Sequence, residues 1–160
     1  LGDALAMALL EQKGFTAEDF ARTHPGGNLG RRLLTHVRDV MRQGKEIPAV
    51  AETATFAEAI LEMSKKGLGM TAVVDGNRHV IGIYTDGDLR RTLEKNADLR
   101  QVSIATIMTR KPRTISPEQL AVEAVQIMEQ HKVNQLLVVD GKQRLVGALN
   151  MHDLFRAKVI

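Results

Sequence analysis

Apolar residues recur at the spacing of a helix face in two stretches of the chain, residues 56–63 and 120–128. Each stretch is followed by two short apolar runs with Asp-Gly between them, a sequence typical of β-hairpins. The predicted strands are Thr71–Val74, Val80–Tyr84, Leu136–Val139 and Leu145–Leu149. A last helix is expected from about Asp86 or Met151. Ser116-Pro117 predicts the start of the helix over 120–128, because Ser caps helices and Pro suits their first turn.

The two units that these elements form are copies of each other. Shifting the sequence by 65 residues places Val73–Gly76 on Val138–Gly141. Ahead of each unit, Val40-Met41 matches Ile107-Met108 at a shift of 67 residues, so a short insertion separates these anchors. Self-similarity of this kind is the signature of a duplicated structural unit.

A unit of about 55 residues buries too little apolar surface to be stable alone. The strands are apolar on both faces, as Ala72-Val73-Val74 and Leu136–Val139 show, so both faces need to be covered. We therefore expect an α/β fold of the α+β kind, in which the two copies pack sheet to sheet about a pseudo-twofold axis. A cleft between symmetric copies is a natural place for a ligand.

The composition is that of a soluble globular protein, with 44% hydrophobic and 26% charged residues and no apolar run near the roughly 20 residues that span a bilayer. The absence of cysteine excludes disulfides and thiolate zinc sites and is compatible with the cytoplasm. The net charge of +3 permits nucleic-acid binding, but only 3% of residues are aromatic and the charges are interspersed. The histidines show no metal-ligand spacing. We expect no nucleic acid, membrane or metal as a partner.

The end of the first unit holds the residues most able to bind a small molecule. Gly82 would let the main chain approach a ligand closely. Thr85 and Asp88 lie where a strand becomes a helix, and Asp88 could accept both hydroxyls of a ribose. The same two residues could instead cap the helix, and one group can serve both purposes.

The pattern Gly-x-x-Thr-x-x-Asp at residues 82–88 resembles the nucleotide-binding signature of CBS domains, in which the Thr and Asp hold ribose hydroxyls. The duplication and the order of elements resemble a tandem CBS pair, or Bateman module, over residues 38–160. In the second copy the matching residues are Gly147, Asn150 and Asp153, with Asn in place of Thr. The further nucleotide-binding positions that the resemblance implies are Val50, Met70, Thr71, Thr114 and Gln135, with Arg90 as a candidate for phosphate contact.

The first 36 residues lie outside the repeat and resemble the C-terminal end of the sugar isomerase (SIS) domain in arabinose 5-phosphate isomerases. The resemblance rests on Leu1–Ala6, Phe15–Phe20 and His24–Gly27, and it extends into the CBS pair at Thr85–Arg91. The domain boundaries that it implies are 1–36 for a helical remnant of the SIS domain, 37–98 for the first CBS domain and 102–160 for the second.

The resemblance also implies an activity for the full-length protein, which would interconvert ribulose 5-phosphate and arabinose 5-phosphate in Kdo and lipopolysaccharide biosynthesis. Such an isomerisation needs a base whose pKa lies near neutrality, which histidine supplies with little adjustment. The family's pattern has a catalytic histidine at the position of His24. The chain is interpreted as the end of a longer protein, and because the other catalytic groups would lie upstream, we expect the 160-residue chain alone to be inactive.

For the CBS pair, the resemblance implies a regulatory nucleotide or sugar nucleotide, such as CMP-Kdo or an adenylate, and no required cofactor. It further implies a cytoplasmic protein that self-associates through its CBS pairs, as a dimer and in the full-length protein as a tetramer. One alternative is a stand-alone CBS module that senses adenylates and regulates another protein, and a second is a basic nucleic-acid binder. The segment His24–Gly27 favours the enzyme, since a free sensor has no need of it.

Overall fold

The computed structural model describes residues 16, 19, 27–95, 98–99 and 101–160. The helices are α1 (Asn28–Leu34), α2 (Val37–Val40), α3 (Phe56–Lys66), α4 (Asp86–Lys95), α5 (Ile104–Ile107), α6 (Ala121–His131) and α7 (Met151–Arg156). The strands are β1 (Ala49–Ala51), β2 (Met70–Val74), β3 (Val80–Thr85), β4 (Thr109–Arg110), β5 (Thr114–Ile115), β6 (Gln135–Val139) and β7 (Leu145–Asn150). Within this described part of the chain, no helix combines the length and the apolar character needed to cross a membrane.

Each copy contains a small sheet, and the two sheets have the same strand order. In the first, β1 is parallel to β2 and β2 is antiparallel to β3. The strands β5, β6 and β7 repeat this arrangement in the second. An aspartate closes each hairpin: one oxygen of Asp75 accepts hydrogen bonds at 2.8 Å and 2.9 Å from the N–H groups two and four residues further on, and Asp140 does the same. Both predicted hairpins are confirmed.

The long helices of the two copies begin differently. At the start of α3, the hydroxyl of Thr55 accepts a hydrogen bond from the N–H of Glu58, and the Glu58 carboxylate accepts one from the N–H of Thr55. In the second copy, the prediction of a helix start at Ser116-Pro117 is wrong. Ser116 opens a turn instead, and α6 begins only after Leu120, because the carboxylate of Glu123 accepts the Leu120 N–H at 2.7 Å.

Each copy is completed by the segment that precedes the other copy. Strand β4, which comes just before the second copy, pairs with β3 of the first. The reciprocal contact is made by Arg42, whose N–H donates to the carbonyl of Ala148 at 2.8 Å and whose carbonyl accepts from the N–H of Ala148 at 3.2 Å. The adjoining helices follow the same exchange. Val37 of α2 is buried in the core of the second copy, and Ile104 of α5 is buried in the core of the first.

The exchanged segments also place a methionine against a glycine. A Cβ atom on Gly82 would lie 2.3 Å from Sδ of Met108, and a Cβ atom on Gly147 would lie 2.3 Å from Sδ of Met41. These distances are far below van der Waals contact, so glycine is needed to make room for the methionines. The expectation that Gly82 lets a ligand approach the main chain is therefore wrong, because Met108 fills the space beside it.

A common core lies between the two sheets. One buried cluster contains residues of both, including Met70, Ala72, Ile83, Leu137, Leu145 and Ala148. Strand β2 is buried along its whole length, as expected for a strand covered on both faces. The turn regions of the two hairpins also meet, through a bridge between His79 and Arg144. The predicted α+β arrangement of two copies packed sheet to sheet is confirmed.

Replacing Gly82 by Ala should lower the free energy of unfolding by about 1–3 kcal/mol, because the added methyl group overpacks the space that Met108 occupies. Urea denaturation would show this as a lower midpoint with an unchanged slope. Gly76→Ala is the control, since a Cβ there meets nothing within 4 Å, and it should change stability by less than about 0.5 kcal/mol. Met108→Ala in the Gly82→Ala background should recover part of the loss. A Gly82→Ala chain as stable as the parent would contradict this packing.

Tyr84 lies in the core of the first copy and is the only tyrosine of a sequence without tryptophan. Its ring is fully buried and meets Phe56 edge-on, with ring centroids 6.1 Å apart. Its hydroxyl donates to the hydroxyl of Thr92 at 2.8 Å. Burial raises the pKa of Tyr84, the hydrogen bond with Thr92 lowers it, and the neighbouring carboxylate of Asp88 raises it.

In a spectrophotometric titration, the tyrosinate of the folded chain should therefore form at higher pH than that of the chain in urea, where the pKa is about 10. Because the folded state holds this proton more tightly, the stability it provides is complete below about pH 10 and is lost as the pH rises through the folded pKa. Thr92→Val removes a hydrogen bond that favours tyrosinate, so it should move the titration further upward. A folded midpoint at or below the urea value would show that burial does not dominate.

Candidate ligand-binding cleft

A cleft of about 380 Å³ opens between the two copies. Its walls come from the junction of β3 with α4, from the segment that joins the copies, and from the stretch between α6 and β6. The lining residues are Ile83, Thr85, Asp88, Arg91, Thr109, Lys111, Pro112, Arg113, His131, Val133 and Gln135. The volume is that of a site for a small organic molecule.

Thr85 and Asp88 form a reciprocal pair at the start of α4. Oδ2 of Asp88 accepts hydrogen bonds from the N–H and the hydroxyl of Thr85, both at 2.9 Å, and Oγ1 of Thr85 accepts from the N–H of Asp88 at 3.3 Å. The two residues therefore cap the helix, and both also line the cleft. The two alternatives that the sequence offered for this pair are compatible, and its ligand-binding role stays a prediction.

The other oxygen of Asp88 is held from two directions. Oδ1 accepts a hydrogen bond from Nη2 of Arg91 at 2.6 Å and one from the hydroxyl of Thr109 at 3.1 Å. An ionised carboxylate has about four acceptor sites, and two of the donors here are hydroxyls that can rotate toward a ligand. The Asp88 side chain is 8% exposed, whereas that of Arg91 is 62% exposed and lies at the surface.

Two cations of the cleft have no carboxylate partner among the described residues. Lys111 and Arg113 lie on either side of Pro112 in the loop before β5, and neither forms an ion pair with any residue that the structure describes. Arg91, by contrast, is paired with Asp88. The cleft therefore carries excess positive charge close to a hydrogen-bonding carboxylate. This combination suits a molecule with hydroxyl groups at one end and an anionic group such as phosphate at the other.

The wall from the second copy presents three different side chains. His131 ends α6, Val133 follows the left-handed residue Lys132, and Gln135 begins β6. Nε2 of Gln135 donates to the carbonyl of Gly69 at 3.5 Å, which ties this wall to the first copy. An amide and an imidazole beside an apolar side chain can hydrogen-bond the edge of a planar ring and cover its face.

The matching position of the second copy is occupied by an arginine of the chain itself. At the 67-residue shift, Arg42 corresponds to Thr109. Its Nη2 and Nε lie 3.2 Å and 3.4 Å from the two carboxylate oxygens of Asp153, whose side chain is 2% exposed. Asn150 caps α7 by accepting from the N–H of Asp153 at 3.0 Å. The predicted pair Asn150 and Asp153 is thus brought together, with its carboxylate bound by Arg42.

Of the remaining predicted positions that the structure describes, Gln135 lines the open cleft and the others do not. Met70 and Thr71 are fully buried in β2, main chain included. Val50 packs against the core of the first copy, and Thr114 of β5 lines a separate pocket. Arg90 is exposed on α4, one position before the arginine that lines the cleft. The predicted catalytic residue His24 is outside the described residues.

Sequence reasoning missed Thr109, Lys111 and His131 as lining residues. A signal existed for the first two, because Thr109 follows a methionine that anchors the repeat and Lys111 belongs to the basic run 110–113. His131 gave no signal, since it reaches the cleft only through its place at the end of α6.

The chain is similar along its whole length to curated arabinose 5-phosphate isomerases. It is 56% identical over 160 residues to the enzyme of Pseudomonas aeruginosa and 51% identical to that of Escherichia coli K12. The alignment covers all of this chain but only 49% and 48% of those proteins. The chain therefore spans about half the length of these relatives.

Solved structures of CBS proteins share the fold. A CBS domain protein from Pyrobaculum aerophilum complexed with AMP has a TM-score of 0.67 at 21% identity, covering 74% of this chain and 89% of that one. The CBS domain pair of protein MJ0100, in complex with 5′-methylthioadenosine and S-adenosyl-L-methionine, has a TM-score of 0.69 at 24% identity, covering 76% and 94%. The CBS domain model of protein families matches residues 37–95 and 104–160. Because these two segments are the duplicated units and make up most of the sequence, the chain belongs to the CBS domain family, as a tandem pair.

Proposed function

We propose that the chain is the regulatory CBS pair of an arabinose 5-phosphate isomerase and that a nucleotide or sugar nucleotide binds in its open cleft. The observation that carries the ligand assignment is the charge of the cleft. Lys111 and Arg113 lack carboxylate partners among the described residues, and they lie near a carboxylate, Asp88, that is surrounded by hydroxyl groups. Similarity to isomerases over all 160 residues supports the enzyme assignment.

The proposed binding mode follows from the chemistry of the lining side chains. Ribose hydroxyls would hydrogen-bond to Asp88 as the hydroxyls of Thr85 and Thr109 rotate away from it. The phosphate would lie between Lys111 and Arg113, where charge-assisted hydrogen bonds are strongest. The base would then face the wall that begins β6 and ends α6. Complexes of related folds with AMP and with S-adenosyl-L-methionine support a nucleoside-containing ligand.

The effector that we propose is a sugar nucleotide of the Kdo pathway such as CMP-Kdo, with adenylates as the alternative. A late product of a pathway that binds a regulatory domain can adjust an early enzyme to demand. Such a ligand shifts the enzyme only by the difference in its affinity for two arrangements of the protein.

A structural route for this regulation connects the cleft with the segment upstream. Helix α1 packs against α6, and Nε of Arg32 donates to the carbonyl of Val159 at 3.0 Å. The C-terminal end of α6 supplies His131 to the cleft. A ligand that moves the end of α6 would therefore act on α1, which directly follows the His24–Gly27 segment in the chain. In the full-length isomerase, we propose that His24 moves the proton between C1 and C2 of the sugar phosphate through an enediolate.

A stand-alone adenylate sensor is the second candidate, and the AMP-bound structural relative favours it. The two candidates differ in what residues 1–36 belong to. In the isomerase, these residues are part of a catalytic domain, and in the sensor they are not.

Calorimetric titration should show binding of CMP-Kdo, AMP or ATP to the chain, with CMP-Kdo the tightest. Asp88→Ala should weaken the affinity by about 10- to 100-fold, because hydrogen bonds to a charged group contribute about 1.5–3 kcal/mol. Asp86→Ala is the control, since Asp86 lies in the same helical turn but beside Gly69, in a different pocket. Failure of all three ligands to bind at millimolar concentration would contradict a sensing role. Equal affinities of the parent and Asp88→Ala would show that Asp88 does not contribute to binding.

The full-length protein should convert ribulose 5-phosphate to arabinose 5-phosphate, and the 160-residue chain alone should not. In the full-length protein, His24→Gln should lower kcat by about 10²- to 10⁴-fold, the usual contribution of a general base. His36→Gln, which changes a histidine at the start of α2, serves as the control and should leave kcat nearly unchanged. Turnover by the isolated chain would contradict the assignment of the catalytic machinery to an upstream domain. A full-length protein that binds adenylates without isomerase activity would favour the sensor.

A further inference from the structure

The two ligand positions of the pair are equivalent by sequence but differ beside the carboxylate, where Asn150 stands in the place of Thr85 and Arg42 in the place of Thr109. In the first copy, Thr109 approaches Asp88 with a hydroxyl group. In the second, Arg42 approaches Asp153 with a guanidinium group. Both residues are held by the same main-chain pairing, Thr109 with Ile83 and Arg42 with Ala148, so the difference lies in the side chains alone.

Arg42 is fixed at three points. Its main chain pairs with Ala148, its Nη2 and Nε contact Asp153, and its Nη1 donates to the carbonyl of Lys66 at 3.3 Å. Lys66 is the last residue of α3, and the carbonyl end of a helix favours a cation. The Arg42 side chain is 24% exposed, compared with 67% for Arg156, the surface arginine that also contacts Asp153. Arg42 is therefore part of the packed structure.

Three of the four hydrogen bonds to Asp153 come from donors held in place by the fold, and the fourth comes from the exposed Arg156. The four recorded donor contacts of Asp153 come from the N–H of Asn150, from Arg156, and from two nitrogens of Arg42. Those of Asp88 include two hydroxyls, which can turn aside for a ribose. A planar guanidinium held at both ends cannot turn aside in this way, and its displacement would leave a buried carboxylate with the Asn150 N–H and the exposed Arg156 as its partners.

We infer that Arg42 is a built-in occupant of the second cleft, so that each chain binds one nucleotide, at Thr85 and Asp88, instead of two. The chemical class of the ligand in this inference rests on the proposed function. Arg42 takes the place that the ribose would need, and Thr109 leaves the equivalent place open in the first copy.

The test exchanges the two residues. AMP and CMP-Kdo are each titrated calorimetrically into the parent chain and into Arg42→Thr, which gives the second cleft the side chain of the first. The parent should bind one equivalent and Arg42→Thr two. Arg38→Thr removes an arginine from the same segment, where it pairs with Glu118 at the surface, and this control should bind one equivalent.

The reverse exchange covers the case in which Arg42→Thr does not fold, which circular dichroism would reveal. Thr109→Arg should close the first cleft and weaken binding at least tenfold, through an arginine next to Asp88 in the manner of Arg42. Thr109→Val keeps the volume and removes only the hydroxyl, so it should retain binding to within about tenfold. Equal affinities of Thr109→Arg and Thr109→Val would contradict the inference.

The outcomes separate this inference from the proposed function. Two equivalents bound by the parent would overturn the inference and leave the proposed function intact. One equivalent bound by both the parent and a folded Arg42→Thr would do the same. If the parent binds neither ligand, the proposed function fails and the stoichiometry of one nucleotide per chain fails with it. An equivalent gained by Arg42→Thr would then support only the occupation of the second cleft by Arg42, and no gain would contradict that as well.

Discussion

The reciprocal completion of the two copies is the constraint on which the rest of this structure depends. Each sheet has three strands of its own, and a unit of this size leaves much apolar surface uncovered. The segments before the copies cross over, burying Val37 in one core and Ile104 in the other. The same crossing pairs β4 with β3 and thereby brings Thr109 to the carboxylate of Asp88. The cleft is thus a product of the exchange, since its middle wall is the crossing segment.

Duplication supplies the frame of two sites, and single substitutions then make them different. The main-chain pairing, the methionines packed against glycines and the aspartates at the helix starts are repeated in both copies. Thr109 and Arg42 occupy equivalent places but differ in size and charge. Lys111 and Arg113, the cations of the open cleft, lie in the loop before β5. The equivalent loop before β1 is two residues longer, and the insertion forms the turn at Gly44–Glu46. Symmetry of the fold is therefore compatible with asymmetry of function.

Much of the fold could be predicted from the sequence because burial leaves a periodic record. Strands covered on both faces appear as apolar runs, and because the sequence is duplicated, each element can be predicted independently in both copies. The predictions that failed concerned residues whose environment is set by partners distant in the sequence. Ser116-Pro117 suits a turn as well as a helix start, and Glu123 decides between them. Gly82 predicts that another group approaches the main chain closely. The neighbour is Met108, which reaches Gly82 only because the segments before the two copies cross over.

In the candidate site, too, the residues that could be predicted are those whose geometry is set locally. Thr85 and Asp88 could be predicted because their spacing along one helix turn fixes their geometry, and Gln135 followed from family resemblance. For Thr109, the repeat gives its place after Met108, but its contact with Asp88 depends on a two-residue strand that local patterns do not reveal. At Met70 and Thr71, the apolar run predicts the burial that the structure shows, and their role in ligand binding stays a prediction.

The crossing of segments has a consequence for biosynthesis. A ribosome delivers the first copy before β4 exists, so the outer edge of β3 emerges with unpaired N–H and C=O groups and an empty space beside Gly82. An open strand edge of this kind invites association with other nascent chains. The strands of the second copy do not go through a period without their partner segment, because Val37 and Arg42 have been synthesised before them. The order of translation thus makes one half of a symmetric fold the more vulnerable.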